Sequence, residues 1–260
     1  MTALSSESTY GDTFSAEYDR TFADFEPPAP QLDYLAELAG HSPALEVGVG
    51  TGRVAIPLAR RGIDVIGVDP SQAMLDVLRS KDPEGLVSTF CETIDRTAER
   101  GEQVGLVYAP FNVLFLLDQK IAQQRFFHNA AALMGGGGHV VVECFVPTQQ
   151  TRLVDGPNPA FFPASKHVEV RSIGLDTVTL LVSENDSSSQ VWQLNEVTLR
   201  HGQGVHIVPS TIAYLTCEQI DDLAAAAGFS RVSRTADWNG HAFTNQSRKH
   251  ISTYALNKEI

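Results

Sequence analysis

Two carboxylates stand on either side of a run of alternating glycines, and together they could bind a positively charged nucleoside. Gly48, Gly50 and Gly52 follow Glu46, and Asp69 lies 17 residues beyond the last glycine. Glycine tolerates positive φ in a tight turn and lets backbone approach a ligand closely. A carboxylate at Glu46 would repel a pyrophosphate but suits a cation, and an acid at Asp69 can accept both hydrogen bonds of a ribose diol.

The residues around these groups predict a βαβ unit that would bring them together. Residues 44–47 form a short apolar run that contains Glu46, and residues 63–68 form a second run that ends at Asp69. From Val54 onward the apolar residues recur at helical spacing, which predicts a helix between the two strands. The dinucleotide fingerprint G-x-G-x-x-G would need glycine where this chain has Arg53, so an enzyme that uses NAD(P) is disfavoured.

The stretches EVGVGTGR at 46–53 and VIGVDPSQAML at 65–75 resemble motifs I and II of class I S-adenosylmethionine-dependent methyltransferases. The resemblance implies an α/β, Rossmann-like fold with a seven-stranded, mainly parallel sheet in the order 3-2-1-4-5-7-6. It implies S-adenosylmethionine as cofactor, S-adenosylhomocysteine as product and no metal. The cofactor-binding residues that it implies are Tyr10, Glu46, Gly48, Gly50, Thr51, Gly52, Arg53, Asp69, Pro70, Met74, Thr93, Ile94 and Pro110.

The predicted adenine contact departs from the family pattern. Relatives follow their third strand, here residues 86–90, with Gly-Asp-hydrophobic, but this chain reads CETID. Thr93 stands where the acid is expected, and Ile94 is the apolar residue after it. Glu92 and Asp95 flank them, so either carboxylate is an alternative adenine partner after a one-residue shift.

The segment PFNVLFLLD at 110–118 follows the fourth predicted strand, at the position of motif IV in the family. It supplies the pocket candidates Phe111, Asn112 and Phe115, and it predicts a floor that is aromatic and apolar apart from one amide. No His, Asp or Cys lies within residues 108–117. A general base, if the reaction needs one, would therefore come from elsewhere in the chain.

Aromatic and histidine residues outside that segment are the other candidates for the methyl-transfer site. The spacing of Tyr10 and Tyr18 resembles the N-terminal lid of many small-molecule methyltransferases, where an aromatic ring covers the sulfonium in a cation–π contact. Ordinary packing of the two tyrosines is the alternative. His241 in the tail, with His206 and His167 before it, could supply a base, although a lone histidine is more often a surface or packed residue.

Residues 167–216 alternate polar and apolar side chains and are rich in β-branched residues, which predicts three or four antiparallel strands. The insertion resembles those of glycine N-methyltransferase and the aminosugar N,N-dimethyltransferases, where it roofs the acceptor site or forms a dimer contact; a purely structural addition is the alternative. The tail from Phe243 resembles that of linaridin peptide α-N-methyltransferases. The predicted organisation is 1–40, N-terminal lid and helix; 41–150, cofactor-binding core; 151–215, antiparallel insertion; and 216–260, last helix and closing strands.

Composition narrows the partners and the compartment. The formal net charge of −12 argues against a nucleic-acid substrate, which needs a basic face, and is compatible with a cationic acceptor. The sequence contains no apolar run long enough for a membrane span and no signal-peptide pattern, which predicts a cytoplasmic protein that does not bind membranes. The three cysteines are far apart, odd in number and without metal-ligand spacing, which favours free thiols.

The expected reaction is transfer of a methyl group from S-adenosylmethionine to a small molecule or short peptide. An amine nitrogen is favoured over oxygen or carbon because an amine needs little help from a base to lose its proton. Two other hypotheses remain open: a protein that uses bound S-adenosylmethionine in a non-methylating reaction such as a cyclisation, and a regulatory protein without catalysis. The resemblance also leaves open a homodimer formed through the insertion.

Overall fold

A computed structural model describes residues 11–12, 15, 18–19, 26–117, 120–147 and 166–257 of the 260-residue chain. The described residues of the first segment are helical. Tyr10 lies outside the described residues. Among the helices in the described ranges, none combines the length and the apolar character that crossing a membrane would require.

Short strands and helices alternate along the first half of the chain, as the sequence predicts. Each of the strands β1, β2 and β4 is buried along its whole length. The bounds are α1 Ala29–Ala39, β1 Ala44–Val47, α2 Ala55–Ala59, β2 Val65–Val68, α3 Gln72–Lys81, β3 Val87–Phe90, α4 Ile94–Arg100, β4 Leu106–Ala109, α5 Val113–Leu116, α6 Lys120–Leu133 and β5 His139–Phe145.

The second half holds longer strands and a single further helix among its described residues. Its elements are β6 Lys166–Ile173, β7 Thr177–Asp186, β8 Val191–Arg200, β9 Gly204–Ala213, α7 Cys217–Ala226, β10 Phe229–Thr235 and β11 Lys249–Leu256. Side-chain caps mark the first residues of two helices. Ser71 accepts a hydrogen bond from the Met74 amide at the start of α3, and Thr216 with Gln219 forms a capping box at the start of α7.

Seven strands form one sheet in the order β10-β11-β5-β4-β1-β2-β3. The pairs from β5 to β3 are parallel, whereas β11 runs antiparallel to both of its neighbours. When the seven strands of this sheet are renumbered along the chain and read from the β3 edge, the order is 3-2-1-4-5-7-6, which confirms the predicted fold. The central strands are buried and mostly apolar, as expected for a parallel sheet with helices on both faces.

The inserted strands form a second, four-stranded antiparallel sheet in the order β6-β7-β8-β9. The register places Glu169, Leu181, Glu196 and Val208 in one row across its four strands. Alternate residues point to the opposite face, where valine and isoleucine side chains are exposed, including Val168, Val170, Val205 and Ile207. The homodimer contact expected from the sequence stays a prediction.

The turn after β4 has an unusual backbone that neighbouring strands hold in place. Phe111 and Asn112 have φ values of 52° and 66°, in the left-handed region that non-glycine residues seldom adopt. The Asn112 side-chain oxygen accepts a hydrogen bond from the Phe145 amide at 2.7 Å, and the Asn112 amide donates to the Glu143 carbonyl at 2.9 Å. The Glu143 carboxylate accepts from the Phe111 amide at 3.1 Å and from Lys249 Nζ at 3.0 Å.

Two substitutions at Asn112 separate its side-chain hydrogen bond from its backbone conformation. Both Asn112→Gly and Asn112→Ala leave the Phe145 amide without its acceptor, which costs about 1–3 kcal/mol when the amide is buried. The alanine variant, unlike the glycine variant, is also destabilised by the left-handed conformation, by about 1–2 kcal/mol. In urea unfolding we expect both variants to be less stable than wild type, with alanine the lower by about 1 kcal/mol. An alanine variant as stable as the glycine variant would contradict the assigned backbone strain.

Candidate active site

A cavity of about 660 Å³ lies between the carboxyl ends of the central parallel strands and the inner face of the inserted sheet. Fourteen of the candidate residues picked out from the sequence line it. The cofactor candidates among them are Glu46, Gly48, Gly50, Thr51, Arg53, Asp69, Pro70, Met74, Thr93, Ile94 and Pro110, and the pocket candidates are Tyr18, Phe111 and Asn112.

Five of the described candidates do not line this cavity: Gly52, Phe115, His241, His167 and His206. Gly52 has a φ of +79°, and a Cβ there would come within 2.8 Å of Ile56 and Leu78, so this glycine permits close packing beneath the turn. Phe115 is fully buried with its ring 4.9 Å from that of Phe145, because it occupies the core-facing side of α5. His241 is exposed and hydrogen-bonds to the Asp237 carboxylate at 2.7 Å.

The remaining histidine candidates also lie away from the cavity lining. His167 and His206 belong to β6 and β9, but neither contributes to the cavity surface. Among the described residues that line the cavity there is no histidine, lysine or cysteine. None of the three candidate histidines belongs to the described lining, and a histidine base from the insertion or the tail stays a prediction.

Glu46 is a buried carboxyl group at the carboxyl end of the central sheet. Its side chain accepts a hydrogen bond from the Tyr108 hydroxyl at 2.8 Å, and the residue is 2% exposed. Burial raises the pKa of Glu46 to about 8, although the Tyr108 hydrogen bond, the Arg53 charge and the Ala55 amide favour the ionised form. A cation in contact with this carboxylate would lower its pKa again, so the site favours a positively charged ligand.

Asp69 lies at the end of β2 and closes the glycine turn. One carboxylate oxygen accepts from the Gly50 amide at 2.9 Å, and the other accepts from the Ser71 amide at 2.9 Å. Burial raises the pKa of Asp69, and the two amide hydrogen bonds act in the opposite direction. Each oxygen keeps a second lone pair, which suits the two hydroxyls of a ribose diol.

Asp12 and Asp19, two of the described helical residues before β1, contact the start of α3 and the glycine turn through their carboxylates. Asp19 accepts hydrogen bonds from Thr51 Oγ1 at 2.6 Å and from Lys81 Nζ at 2.8 Å. Asp12 accepts from Ser71 Oγ at 2.7 Å. These contacts place Tyr18 on the cavity wall, where the predicted lid would cover the cofactor.

Tyr18 belongs to a group of aromatic and charged side chains on the same wall. Burial raises the pKa of the Tyr18 hydroxyl, while a hydrogen bond and the positive charge of Arg53 oppose the shift. The Arg53 guanidinium also lies 4.6 Å from the centre of the Phe111 ring. Arg53 therefore joins the N-terminal segment to the turn after β4.

The adenine position departs from the family pattern in the way that the sequence indicates. Thr93 and Ile94 both line the cavity, and so do the flanking acids Glu92 and Asp95. Glu92 already accepts hydrogen bonds from Thr97 and Arg100, and Asp95 forms an ion pair with Arg125 at 3.2 Å. Which of these residues binds the adenine stays a prediction.

The inserted sheet contributes charged residues to the cavity that were not predicted from the sequence. Glu169, Arg171 and Glu196 line the cavity, and Arg171 forms an ion pair with Glu169 at 3.3 Å. Arg125 from α6 also lines it. Alternation along β6 and β8 could have placed these residues on one face, but only the paired strands show which face meets the cavity.

The raised pKa of Glu46 predicts that cofactor binding releases a proton near neutral pH. Because the pKa in the free protein is about 8, a cationic ligand that lowers it should bind more tightly as pH rises toward 8, by up to about tenfold per pH unit. Calorimetry of S-adenosylmethionine binding at pH 7, in buffers of different ionisation enthalpy, should show this release. The Glu46→Gln variant lacks this titrating group, so the proton release that remains in it comes from the ligand and the other groups. An equal proton release from both proteins would contradict the role of Glu46.

The contacts of Asp19 predict a modest contribution of the N-terminal segment to cofactor retention. Asp19→Asn removes a half-exposed ion pair with Lys81, a contact of a type that contributes about 0.2–1 kcal/mol, so we expect two- to fivefold faster S-adenosylmethionine release. Stopped-flow displacement measures that rate. Asp33→Asn, which removes an exposed pair with Arg61, is the matched control and should leave the rate unchanged. An unchanged rate in Asp19→Asn would show that this contact does not retain the cofactor.

Comparisons with known proteins agree with this geometry. Residues 44–138 match the family model described as a methyltransferase domain. The CcbJ methyltransferase from Streptomyces caelestis has a TM-score of 0.82 and 32% identity, over 96% of this chain and 99% of CcbJ. CalS10, an amino pentose methyltransferase from Micromonospora echinaspora with bound S-adenosylmethionine, has a TM-score of 0.65 and 19% identity, over 92% and 96% of the two chains, and shows the shared fold.

Curated relatives match a shorter part of the chain. The uncharacterized methyltransferase Rv3342 from Mycobacterium tuberculosis is 38% identical over 76 residues, which are 29% of this chain and 30% of that protein. The chain thus spans about a third of the length of the curated relatives that it matches first, whereas its likeness to CcbJ covers nearly both chains. With the sheet order and the glycine turn, these matches confirm the cofactor predicted from the sequence, and the chain belongs to the class I S-adenosylmethionine-dependent methyltransferases.

Proposed function

We propose that this enzyme transfers a methyl group from S-adenosylmethionine to an amine nitrogen of a small natural-product molecule or short peptide. The observation that carries the proposal is the chemistry of the cavity wall. The described lining holds no histidine, lysine or cysteine, and its proton acceptors are carboxylates and the Tyr18 hydroxyl, whose pKa is raised. Glu46, with a pKa of about 8, would face the cofactor rather than the acceptor. An amine loses its proton to water near neutral pH, whereas an alcohol or a carbon acid needs a positioned base.

The cofactor supplies a methyl group bound to a sulfonium sulfur. A nucleophile attacks the methyl carbon in line with the C–S bond, and the sulfur leaves. The residues of this chain therefore act mainly by positioning. Asp69 would hold the ribose hydroxyls, Glu46 the amino group, and the rings of Tyr18 and Phe111 the sulfonium through cation–π contact. Correct orientation of two reactants can lower the barrier by about 7–11 kcal/mol in favourable cases, so methyl transfer to an amine needs no further catalytic group.

The relatives support a small acceptor. CalS10 is named as an amino pentose methyltransferase involved in calicheamicin biosynthesis, and it shares the overall fold of this chain. An amino sugar or a cyclic amine of similar size fits a cavity of about 660 Å³ that is shared with the cofactor. Oxygen and carbon acceptors and a non-methylating reaction are the competing outcomes.

An assay with methyl-labelled S-adenosylmethionine tests the proposal. The acceptors are a panel of amino sugars, cyclic secondary amines and peptides with a free N-terminal amine. Each is paired with an analogue in which a hydroxyl replaces the amine. We expect label in the amines, with one S-adenosylhomocysteine formed for each methyl transferred and kcat/KM rising with pH toward the acceptor pKa. Asp69→Ala, which removes both ribose contacts, should lose at least about tenfold in cofactor affinity.

Three results would contradict the proposal. Label that enters only the hydroxyl counterparts would favour oxygen methylation. Label on carbon would favour carbon methylation. Conversion of an acceptor without formation of S-adenosylhomocysteine would favour the non-methylating alternative.

A further inference from the structure

The inserted sheet contributes a defined row of side chains to the cavity, on the side opposite the glycine turn. Glu169 pairs with Leu181, Leu181 with Glu196, and Glu196 with Val208, so that the four residues form a cross-strand row. All four line the cavity. Neighbouring strands are about 4.8 Å apart, so the two glutamates stand about 10 Å apart on either side of the leucine.

The row combines an apolar surface with two carboxylates. Leu181 and Val208 are 7% and 6% exposed, and Leu194 and Ile212 from the adjoining positions of β8 and β9 also line the cavity. A ligand body that rests on Leu181 therefore has a glutamate side chain on each side. This arrangement suits a molecule with an aliphatic ring and a positive charge.

The other charged residues at this end of the cavity do not favour an anion. Arg171 pairs with Glu169, and Arg125 pairs with Asp95. Over the whole described lining of the cavity, six carboxyl groups face three guanidiniums. The net charge of −12 over the whole chain adds a field that attracts cations.

We infer that Glu169 and Glu196 select the acceptor as a cationic amine and that Leu181 and Val208 hold its aliphatic body. The inference rests on the proposed function and adds the residues that recognise the substrate. A secondary amine enters as an ammonium ion and gives one proton to solvent. Its lone pair then forms the new C–N bond while the C–S bond breaks, and the products are a tertiary ammonium ion, S-adenosylhomocysteine and the released proton.

Binding measurements test the two glutamates without knowledge of the natural acceptor. The probes are cyclohexylamine, cyclohexanol and cyclohexanecarboxylate, which share one ring and differ in charge. Each is titrated by calorimetry or ligand-observed NMR into the enzyme saturated with S-adenosylhomocysteine at pH 7.5. We expect wild type to bind the amine at least tenfold more tightly than the alcohol, and the carboxylate most weakly.

The variants Glu196→Gln and Glu169→Gln should each reduce the ratio of amine to alcohol affinity to about threefold or less. Glu184→Gln is the matched control, because it removes the same charge from β7, on the exposed side of the sheet, where Glu184 pairs with Lys166. It should keep the wild-type ratio. Unchanged S-adenosylhomocysteine affinity and unfolding temperature in all variants would show that the fold is retained.

The inference is overturned if wild type shows no preference for the amine, if both cavity variants keep that preference, or if Glu184→Gln loses as much as they do. Failure of the proposed function looks different. An enzyme that prefers the amine in binding but methylates only hydroxyls contradicts nitrogen methylation, whereas nitrogen methylation with an unchanged KM in both cavity variants contradicts the role of the glutamates.

Discussion

A carboxyl group buried near the carboxyl end of the central strand is the constraint on which this site depends. Glu46 sits in the central strand with 2% of its surface exposed, and burial disfavours its charged form strongly enough to raise its pKa to about 8. The Tyr108 hydroxyl fixes the orientation of the carboxyl but does not supply a full charge. The Arg53 charge opposes the shift only in part, so a further cation beside the carboxylate would stabilise its ionised form, and the site favours a positively charged ligand.

The parallel sheet explains why the other groups converge on the same place. The carboxyl ends of β1, β2 and β4 lie at one edge, which brings together Glu46, Asp69 and the turn at Phe111. That turn is held in a strained conformation from a distance, because Glu143 in β5 binds both the Phe111 amide and Lys249 at the start of β11. Lys249 at the start of β11 therefore supports a loop more than a hundred residues before it.

Features of the fold that depend on residues close together in the sequence could be predicted from it. The glycine turn and the acid after β2 are set by neighbouring residues, so their patterns predicted the strand–helix–strand unit. The sheet order, by contrast, was expected from the family resemblance. Phe115 was a pocket candidate but packs in the core, because α5 has only four residues and its sequence alone does not reveal which side faces the core. Gly52 was a family-based assignment, and the structure gives it a packing role instead.

The residues of the inserted sheet were harder to find for a different reason. Alternation predicted the strands and the two faces, but which face meets the cavity depends on how the sheet packs against the core. Glu169 and Glu196 are 27 positions apart in sequence, and they join one row only through the register of β6, β7 and β8. The histidines drew attention because of their chemistry, yet His241 is exposed and the other two candidates lie off the cavity.

The two walls of the cavity differ in how freely they can change. On the core side, Glu46, Asp69 and the strained turn are tied to backbone amides and to the packing of the main sheet, so a substitution there disturbs the fold as well as the ligand. On the inserted side, backbone hydrogen bonds hold the strands together, and the inward side chains at Glu169 and Glu196 take no part in that pairing. A single substitution in the row can therefore alter the charge that meets the acceptor while the cofactor wall stays intact. The two walls are therefore physically separate, and the charge on the inserted side can change without altering the groups at Glu46 and Asp69.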